Sequence, residues 1–68
     1  MKVKEILKYA QKNQIVVLMH RTGLNCKFNG EKYKLYDNSI EHNKLLNSEI
    51  KYIGSYNSNL VIALDKEN

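Results

Sequence analysis

The sequence predicts a small two-layer α+β domain, in which an N-terminal helix packs on a mostly antiparallel sheet of four to five strands. Three patterns support this prediction: apolar residues at helical spacing near the N-terminus, a short continuous apolar run, and alternating segments separated by turn residues. The chain has 68 residues without a repeat or a linker, so residues 1–68 are expected to form one domain. The predicted order is helix, three strands, a short helix and two strands.

The first predicted element is an amphipathic helix at the N-terminus. Lys, Glu and Gln fill most of its surface, and four apolar residues share the i, i+3, i+4, i+7 stripe of one face: Val3, Ile6, Leu7 and Ala10. Asn13 is expected to end this helix, because Asn tolerates the left-handed conformation that closes many helices.

A β-hairpin is predicted around Asn29 and Gly30, after a first strand over residues 14–20. Asn-Gly between two alternating segments favours the type I′ turn of a two-residue hairpin. In that register, one face of the hairpin is assigned to the core: Leu24, Cys26, Phe28, Tyr33 and Leu35. The opposite face is predicted to form a basic ridge: Asn25, Lys27, Lys32, Lys34 and Tyr36.

The second half of the chain is predicted to add a short helix and two strands. Asp37, Asn38 and Ser39 are of the types that commonly precede helices, so a helical segment is expected over residues 40–47. Residues 49–53 and 60–64 have the composition of strands. The Gly, Ser and Asn residues between these strands are typical of a turn or loop.

The five apolar residues from Ile15 to Met19 give the first strand no polar face. Either neighbouring side chains cover its second side, or that side is an exposed apolar patch that binds a partner. The candidate partner-binding patch consists of Val16, Leu18 and Val61. If it is exposed, Val16→Lys or Leu18→Lys should abolish partner binding without unfolding the protein, whereas unfolding would place these residues in the core.

The formal net charge of +4 is distributed unevenly. Residues 1–36 contain eight basic and two acidic side chains, whereas residues 37–68 contain three basic and five acidic ones. Lysines with nearby tyrosines are typical of nucleic-acid-binding surfaces, although an acidic protein surface would also suit them. The candidate binding residues on this basic side are Lys27, Lys32, Lys34, Tyr36 and Arg21. A single arginine disfavours sequence-specific reading of bases, since bidentate contacts to guanine favour Arg.

The sequence gives little indication of catalysis or metal binding. The soft ligands Cys26, His20 and His42 have no zinc-type spacing, and Cys26 is expected to be buried. The glycines are isolated and form no phosphate-binding loop. We therefore expect no enzymatic activity, no metal and no cofactor. The unpaired cysteine and the short apolar segments predict a cytoplasmic protein that does not insert in a membrane.

A general resemblance to known proteins is visible in three segments, which are MKVKEILKYA at residues 1–10, NGEKYKLY at 29–36 and EIKYIGSYNSNLVIAL at 49–64. They resemble the short α+β proteins encoded by phages and prophages of low-GC Gram-positive bacteria. Some of those are anti-CRISPR or other anti-defence proteins that occupy a host effector without catalysis. The resemblance implies a phage-type accessory protein or an anti-defence inhibitor that binds a host effector protein or a complex of protein and nucleic acid. The basic charge departs from acidic mimics of nucleic acid.

Two alternatives to this inhibitor remain open on the sequence. The first is a nucleic-acid-binding module that acts directly through its lysines, without sequence specificity or with specificity for nucleic-acid structure. The second is a structural or assembly protein that associates with itself as a homodimer. Binding to phosphates should weaken steeply as salt rises, whereas an apolar protein interface should not.

Overall fold

The computed structural model of the chain describes residues 1–20 and 25–65. Its elements are, in chain order, helix α1 (Val3–Leu7), strand β1 (Ile15–Met19), strand β2 (Cys26–Glu31), a 3-10 helix (Lys32–Tyr36), helix α2 (Ile40–Leu46), strand β3 (Ile50–Tyr56) and strand β4 (Asn59–Leu64). Helices and a four-stranded sheet together confirm the predicted α+β class.

The four strands lie in the order β2-β1-β4-β3. Each outer strand is antiparallel to its neighbour, whereas the two central strands, β1 and β4, run parallel. Two of the three pairings therefore have the antiparallel direction that the sequence predicted. In the parallel pair, Val16 lies beside Leu60 and Val17 lies beside Val61, which determines the side chains that share each face.

The hydrophobic core lies between one face of the sheet and the helical segments. Its buried side chains come from both helices, from the 3-10 helix and from the two central strands: Val3, Leu7, Val16, Leu18, Leu35, Leu46, Ile62 and Leu64. Because side chains alternate along a strand, α1, α2 and the 3-10 helix all pack on the same side of the sheet. We call that side the covered sheet face.

The predicted exposed patch is wrong for two of its three residues. Val16 and Leu18 have 0% of their surface exposed and lie in the core. Val61 lies on the opposite face, beside Val17. An all-apolar strand has no polar side chain to mark its solvent side, so alternation alone does not distinguish the two faces. The expectation that a lysine at residue 16 or 18 leaves the fold intact no longer follows.

The predicted hairpin at Asn29 and Gly30 is also wrong, because β2 continues through both residues. Gly30 is paired with Val16 and Asn29 with Val17. Neither Asn29 nor Gly30 has the left-handed backbone conformation that a type I′ turn requires. The residues after β2 form the 3-10 helix instead of a third strand.

A two-residue hairpin turn occurs between β3 and β4. Tyr56 and Asn59 form the last cross-strand pair, and the residues between them, Asn57 and Ser58, have φ values of 52° and 67°. Positive φ at both central positions is typical of a type I′ turn. The sequence predicted a turn or loop over residues 54–59, and the strands extend into that segment from both ends.

The change from strand to 3-10 helix moves several side chains that were assigned to the core. Leu35 is buried and Phe28 packs against the core, as predicted. Cys26 and Tyr33 are exposed instead. Leu24 lies outside the described residues. A 3-10 helix has three residues per turn, so Tyr33 and Leu35 no longer share a face as they would on a strand.

Both predicted α-helices are present, but the bounds of the first differ from the prediction. Helix α1 ends at Leu7, well before Asn13. Of the predicted stripe, Val3 and Leu7 are buried and Ile6 packs against the core, whereas Ala10 lies beyond the helix. Helix α2 confirms the predicted short helix. It begins after Ser39, whose hydroxyl oxygen accepts a hydrogen bond from the backbone N–H of His42 at 3.1 Å.

Candidate binding site

The 3-10 helix is held against the segment that joins α1 to β1. The backbone N–H of Tyr33 donates a hydrogen bond to the carbonyl of Lys12, and that of Lys32 donates to the carbonyl of Gln14, both at 2.9 Å. The ammonium of Lys32 also donates to the carbonyl of Ala10 at 2.8 Å. These bonds join residues about twenty positions apart and bring two lysine-containing segments side by side.

A shallow groove of about 470 Å³ lies between these two segments. Three lysines and two tyrosines line it: Lys8, Lys12, Lys32, Tyr33 and Tyr36. We call this site the lysine-tyrosine groove. The tyrosines occupy positions i and i+3 of the 3-10 helix, where side chains eclipse one another, and they leave 51% and 48% of their surface exposed. Two half-exposed rings therefore project from one side of the helix.

The lining of the groove is basic, and it includes no acidic side chain among the described residues. Glu31 is adjacent to Lys32 in the chain, but its carboxylate lies 3.6 Å from the ammonium of Lys34. The ammonium of Lys8 lies 5.4 Å from the centroid of the Tyr9 ring, within range of a cation–π interaction. Burial raises the pKa of the Tyr36 phenol above 10.0, so this group is uncharged at neutral pH.

The predicted basic ridge is divided among several parts of the structure. Lys32 and Tyr36 line the groove, Lys34 pairs with Glu31, and Lys27 lies on β2. Arg21 lies outside the described residues. The ridge prediction assumed a β-hairpin, and the side chains separated because the second half of that hairpin is a 3-10 helix.

Three groove residues were not predicted as binding residues. Tyr33 was assigned to the core, and Lys8 and Lys12 were treated as the polar surface of the first helix. One pattern in the sequence pointed to these lysines, since Lys4, Lys8 and Lys12 recur every four residues. Their proximity to the 3-10 helix depends on long-range contacts, which no local pattern predicts.

A second candidate surface is the side of the sheet that faces away from the core, here called the uncovered sheet face. Its residues on the central strands are apolar, and all but the fully buried Ala63 are partly exposed: Ile15, Val17, Met19, Val61 and Ala63. Strand β3 adds Tyr52 beside Ala63 and Gly54 beside Val61. Within residues 1–20 and 25–65, no helix contributes a buried core side chain on this side. The prediction of an apolar sheet face is thus retained for Val61 alone among its three residues.

Cys26 and the histidines were the candidate nucleophiles and metal ligands. Cys26 is exposed, contrary to the prediction, and its Sγ donates a hydrogen bond to the carbonyl of Phe28 at 3.3 Å. His42 Nδ1 lies 2.9 Å from Asp37 Oδ1, and the Phe28 ring packs edge-on against His42. This pair anchors the start of α2. The described part of the chain contains no group of three His, Cys, Asp or Glu residues that could hold a metal ion.

No helix within the described residues is long and apolar enough to cross a membrane. Comparisons with protein families, with curated proteins and with solved structures found no match to this chain.

Proposed function

We propose that this protein is a non-enzymatic binding protein that engages a polyanionic partner through the lysine-tyrosine groove. A single observation carries the proposal: three lysines and two half-exposed tyrosines converge on one groove whose lining includes no described acidic residue. The three lysines make the lining of the groove positively charged, which favours phosphates. The tyrosine rings supply apolar contact area beside those charges.

The backbone around the groove is already organised for binding. Hydrogen bonds from Lys32 and Tyr33 hold the 3-10 helix in place, so the backbone does not need to order when a partner docks. An ammonium group has three N–H donors, and Lys32 uses one of them on Ala10. Lys32 therefore keeps two N–H donors beyond this bond with which to contact a phosphate.

The biological role that we propose follows from the resemblance to phage and prophage proteins. An inhibitor of the anti-CRISPR or anti-defence type would act in the cytoplasm of the host. It would occupy a host effector that carries nucleic acid, with the lysine-tyrosine groove against the phosphates of that complex. A positively charged inhibitor would bind the nucleic acid of the effector, in contrast to acidic inhibitors that replace it.

A charge-reversal pair tests the groove as the docking surface. Lys12→Glu changes a groove lysine, whereas Lys44→Glu changes an exposed lysine of α2 outside the groove by the same charge. We expect Lys12→Glu to elute from a heparin column at clearly lower salt than the wild type. Lys44→Glu should elute close to the wild type, because heparin sulfates would contact the groove and not α2.

Two results of the heparin experiment would contradict the proposal. Equal shifts for Lys12→Glu and Lys44→Glu would mean that net charge alone determines retention. Failure of the wild type to bind heparin at low salt would mean that the groove does not hold polyanions. Circular dichroism of each variant confirms that the fold is unchanged before the elution salts are compared.

The uncovered sheet face favours a second candidate function, which is self-association. Its central residues are apolar, and Tyr52 and Tyr56 on the edge strand β3 leave 49% and 71% of their surface exposed. Edge strands with exposed apolar side chains pair readily with another strand. A concentration-dependent dimer in sedimentation velocity, reduced to a monomer by Val17→Lys, would support this candidate. A monomer at every concentration would exclude it.

A further inference from the structure

We propose that the lysine-tyrosine groove is specific for single-stranded nucleic acid. This inference rests on the proposed function and specifies the partner of the same site. The phosphates would contact the ammonium groups of Lys8, Lys12 and Lys32, and bases would stack on the rings of Tyr33 and Tyr36. The tyrosines would distinguish a single strand from other polyanions, because lysines alone would accept any polyanion.

The two rings are placed so that neighbouring bases could use both. Tyr33 and Tyr36 are separated by one turn of the 3-10 helix, which is a rise of about 6 Å. Bases within a duplex are stacked about 3.4 Å apart along each strand, so a base that stacks on either ring must leave that stack. A single strand can present its bases in this way, whereas a duplex would lose base stacking.

The exposure of the rings also favours a single strand. About half of the surface of each tyrosine is accessible, so the rings are available for stacking. A duplex presents base edges in its grooves and keeps the faces of its bases stacked inside. A duplex could therefore contact the lysines but would leave Tyr33 and Tyr36 without base faces to stack on. Stacking on aromatic rings beside a basic groove is how many proteins bind single strands without sequence preference.

Neighbouring charges support a path for the phosphates along the groove. Lys8 and Lys12 come from the segment that follows α1, whereas Lys32, Tyr33 and Tyr36 come from the 3-10 helix. The Tyr36 phenol is uncharged at neutral pH and adds no repulsion to a phosphate. If each lysine neutralises one phosphate, the logarithm of affinity should fall with the logarithm of salt concentration with a slope of about −2, since single strands lose about 0.7 per contact.

Fluorescence anisotropy with defined oligonucleotides tests this specificity. The ligands are labelled 12-nucleotide oligo-dT, 12-nucleotide oligo-U and a 12-base-pair DNA duplex, each titrated with the wild type and with variants. Tyr33→Leu removes a groove ring, Tyr33→Phe keeps it, and Tyr52→Leu removes a ring of similar exposure on β3. We expect Tyr33→Leu to weaken single-strand binding by about fivefold or more. Tyr33→Phe and Tyr52→Leu should bind like the wild type.

The outcomes separate this inference from the proposed function. Tyr33-dependent binding to either oligonucleotide, with weaker and Tyr33-independent binding to the duplex, supports the inference. Equal binding of duplex and single strands, weakened by Lys12→Glu but not by Tyr33→Leu, would overturn the inference and leave the polyanion proposal standing. Failure to bind any of the three ligands at low salt would overturn both.

Discussion

The two faces of the sheet are built from the same kinds of residue but lie in different surroundings. On the covered sheet face, Val16, Leu18 and Ile62 have no exposed surface. On the uncovered sheet face, Val17 and Met19 of the same strand are only partly buried. The difference arises from the helices, which contribute buried side chains to one side of the sheet. A five-residue apolar strand can thus belong half to the core and half to a surface.

The largest expected effect comes from placing a lysine on each face of β1. Leu18→Lys should abolish cooperative folding, because a buried ammonium without a partner costs several kcal/mol. A domain of this size has a total stability of about 3 to 10 kcal/mol. Val17→Lys should leave the protein folded, since a lysine on the uncovered sheet face can extend its ammonium into water. Circular dichroism and urea denaturation of both variants test this contrast.

Two results would change this comparison of the sheet faces. A folded Leu18→Lys variant with the urea midpoint of the wild type would mean that Leu18 does not contribute to the core. An unfolded Val17→Lys variant would mean that the face opposite the helices is also covered in solution. Either result would remove the asymmetry between the two faces.

Much of the fold was predictable where several patterns agreed. Val3 and Leu7 formed the predicted stripe, and Ser39 caps the predicted second helix. Predictions from a single local pattern were less successful. The Asn29-Gly30 dipeptide favours a turn, but pairing with Val16 and Val17 incorporates it into β2.

The candidate site was predictable only in part, for a related reason. Lys32 and Tyr36 were predicted because basic and aromatic residues recur in their segment. Lys8 and Lys12 line the same groove because long-range hydrogen bonds hold the segment after α1 against the 3-10 helix. The central apolar strand could not be oriented, because neither of its sides carries a polar residue.

A smaller effect on stability is expected from substitutions in the observed hairpin turn and at the site of the predicted one. Ser58 lies in the left-handed region, which costs non-glycine residues roughly 1 to 2 kcal/mol. Ser58→Gly should therefore raise the free energy of unfolding by up to about 1 kcal/mol, since the greater freedom of an unfolded Gly offsets part of the gain. Gly30 lies in β2, where an added Cβ would be 3.4 Å from Phe28 Cζ, in ordinary contact. Gly30→Ala should leave the stability unchanged or slightly higher.

Urea denaturation of Ser58→Gly and Gly30→Ala distinguishes the observed turn from the predicted one. A loss of more than about 1 kcal/mol in Gly30→Ala would indicate that Gly30 needs a left-handed conformation, as in the type I′ turn predicted from the sequence. A loss in Ser58→Gly would indicate that Ser58 is not strained in the β3–β4 turn. Such results would reverse the assignment of the hairpin.

The smallest expected effect concerns pH and the start of α2, one of the helices on the covered sheet face. The pKa of the Asp37 carboxyl lies below its usual 3.8, chiefly because the backbone N–H of Ser39 donates to it, with a further contribution from His42. A carboxyl whose pKa is lowered by folding stabilises the protein above its unfolded pKa, and this contribution disappears as pH falls through the folded pKa. The wild type should therefore lose stability below about pH 4.

Asp37→Asn isolates this contribution, because the amide does not titrate. The thermal midpoint of the wild type should exceed that of Asp37→Asn at pH 6, and the difference should shrink towards pH 2.5 as the carboxyl is protonated. A constant difference across this range would mean that the Asp37 charge does not stabilise the start of α2. Because Asp37 is exposed, water screens its interactions, and the effect should be far smaller than that of a lysine at Leu18. Anchoring of the helices on the covered sheet face would then depend mainly on their buried side chains and only slightly on surface charge.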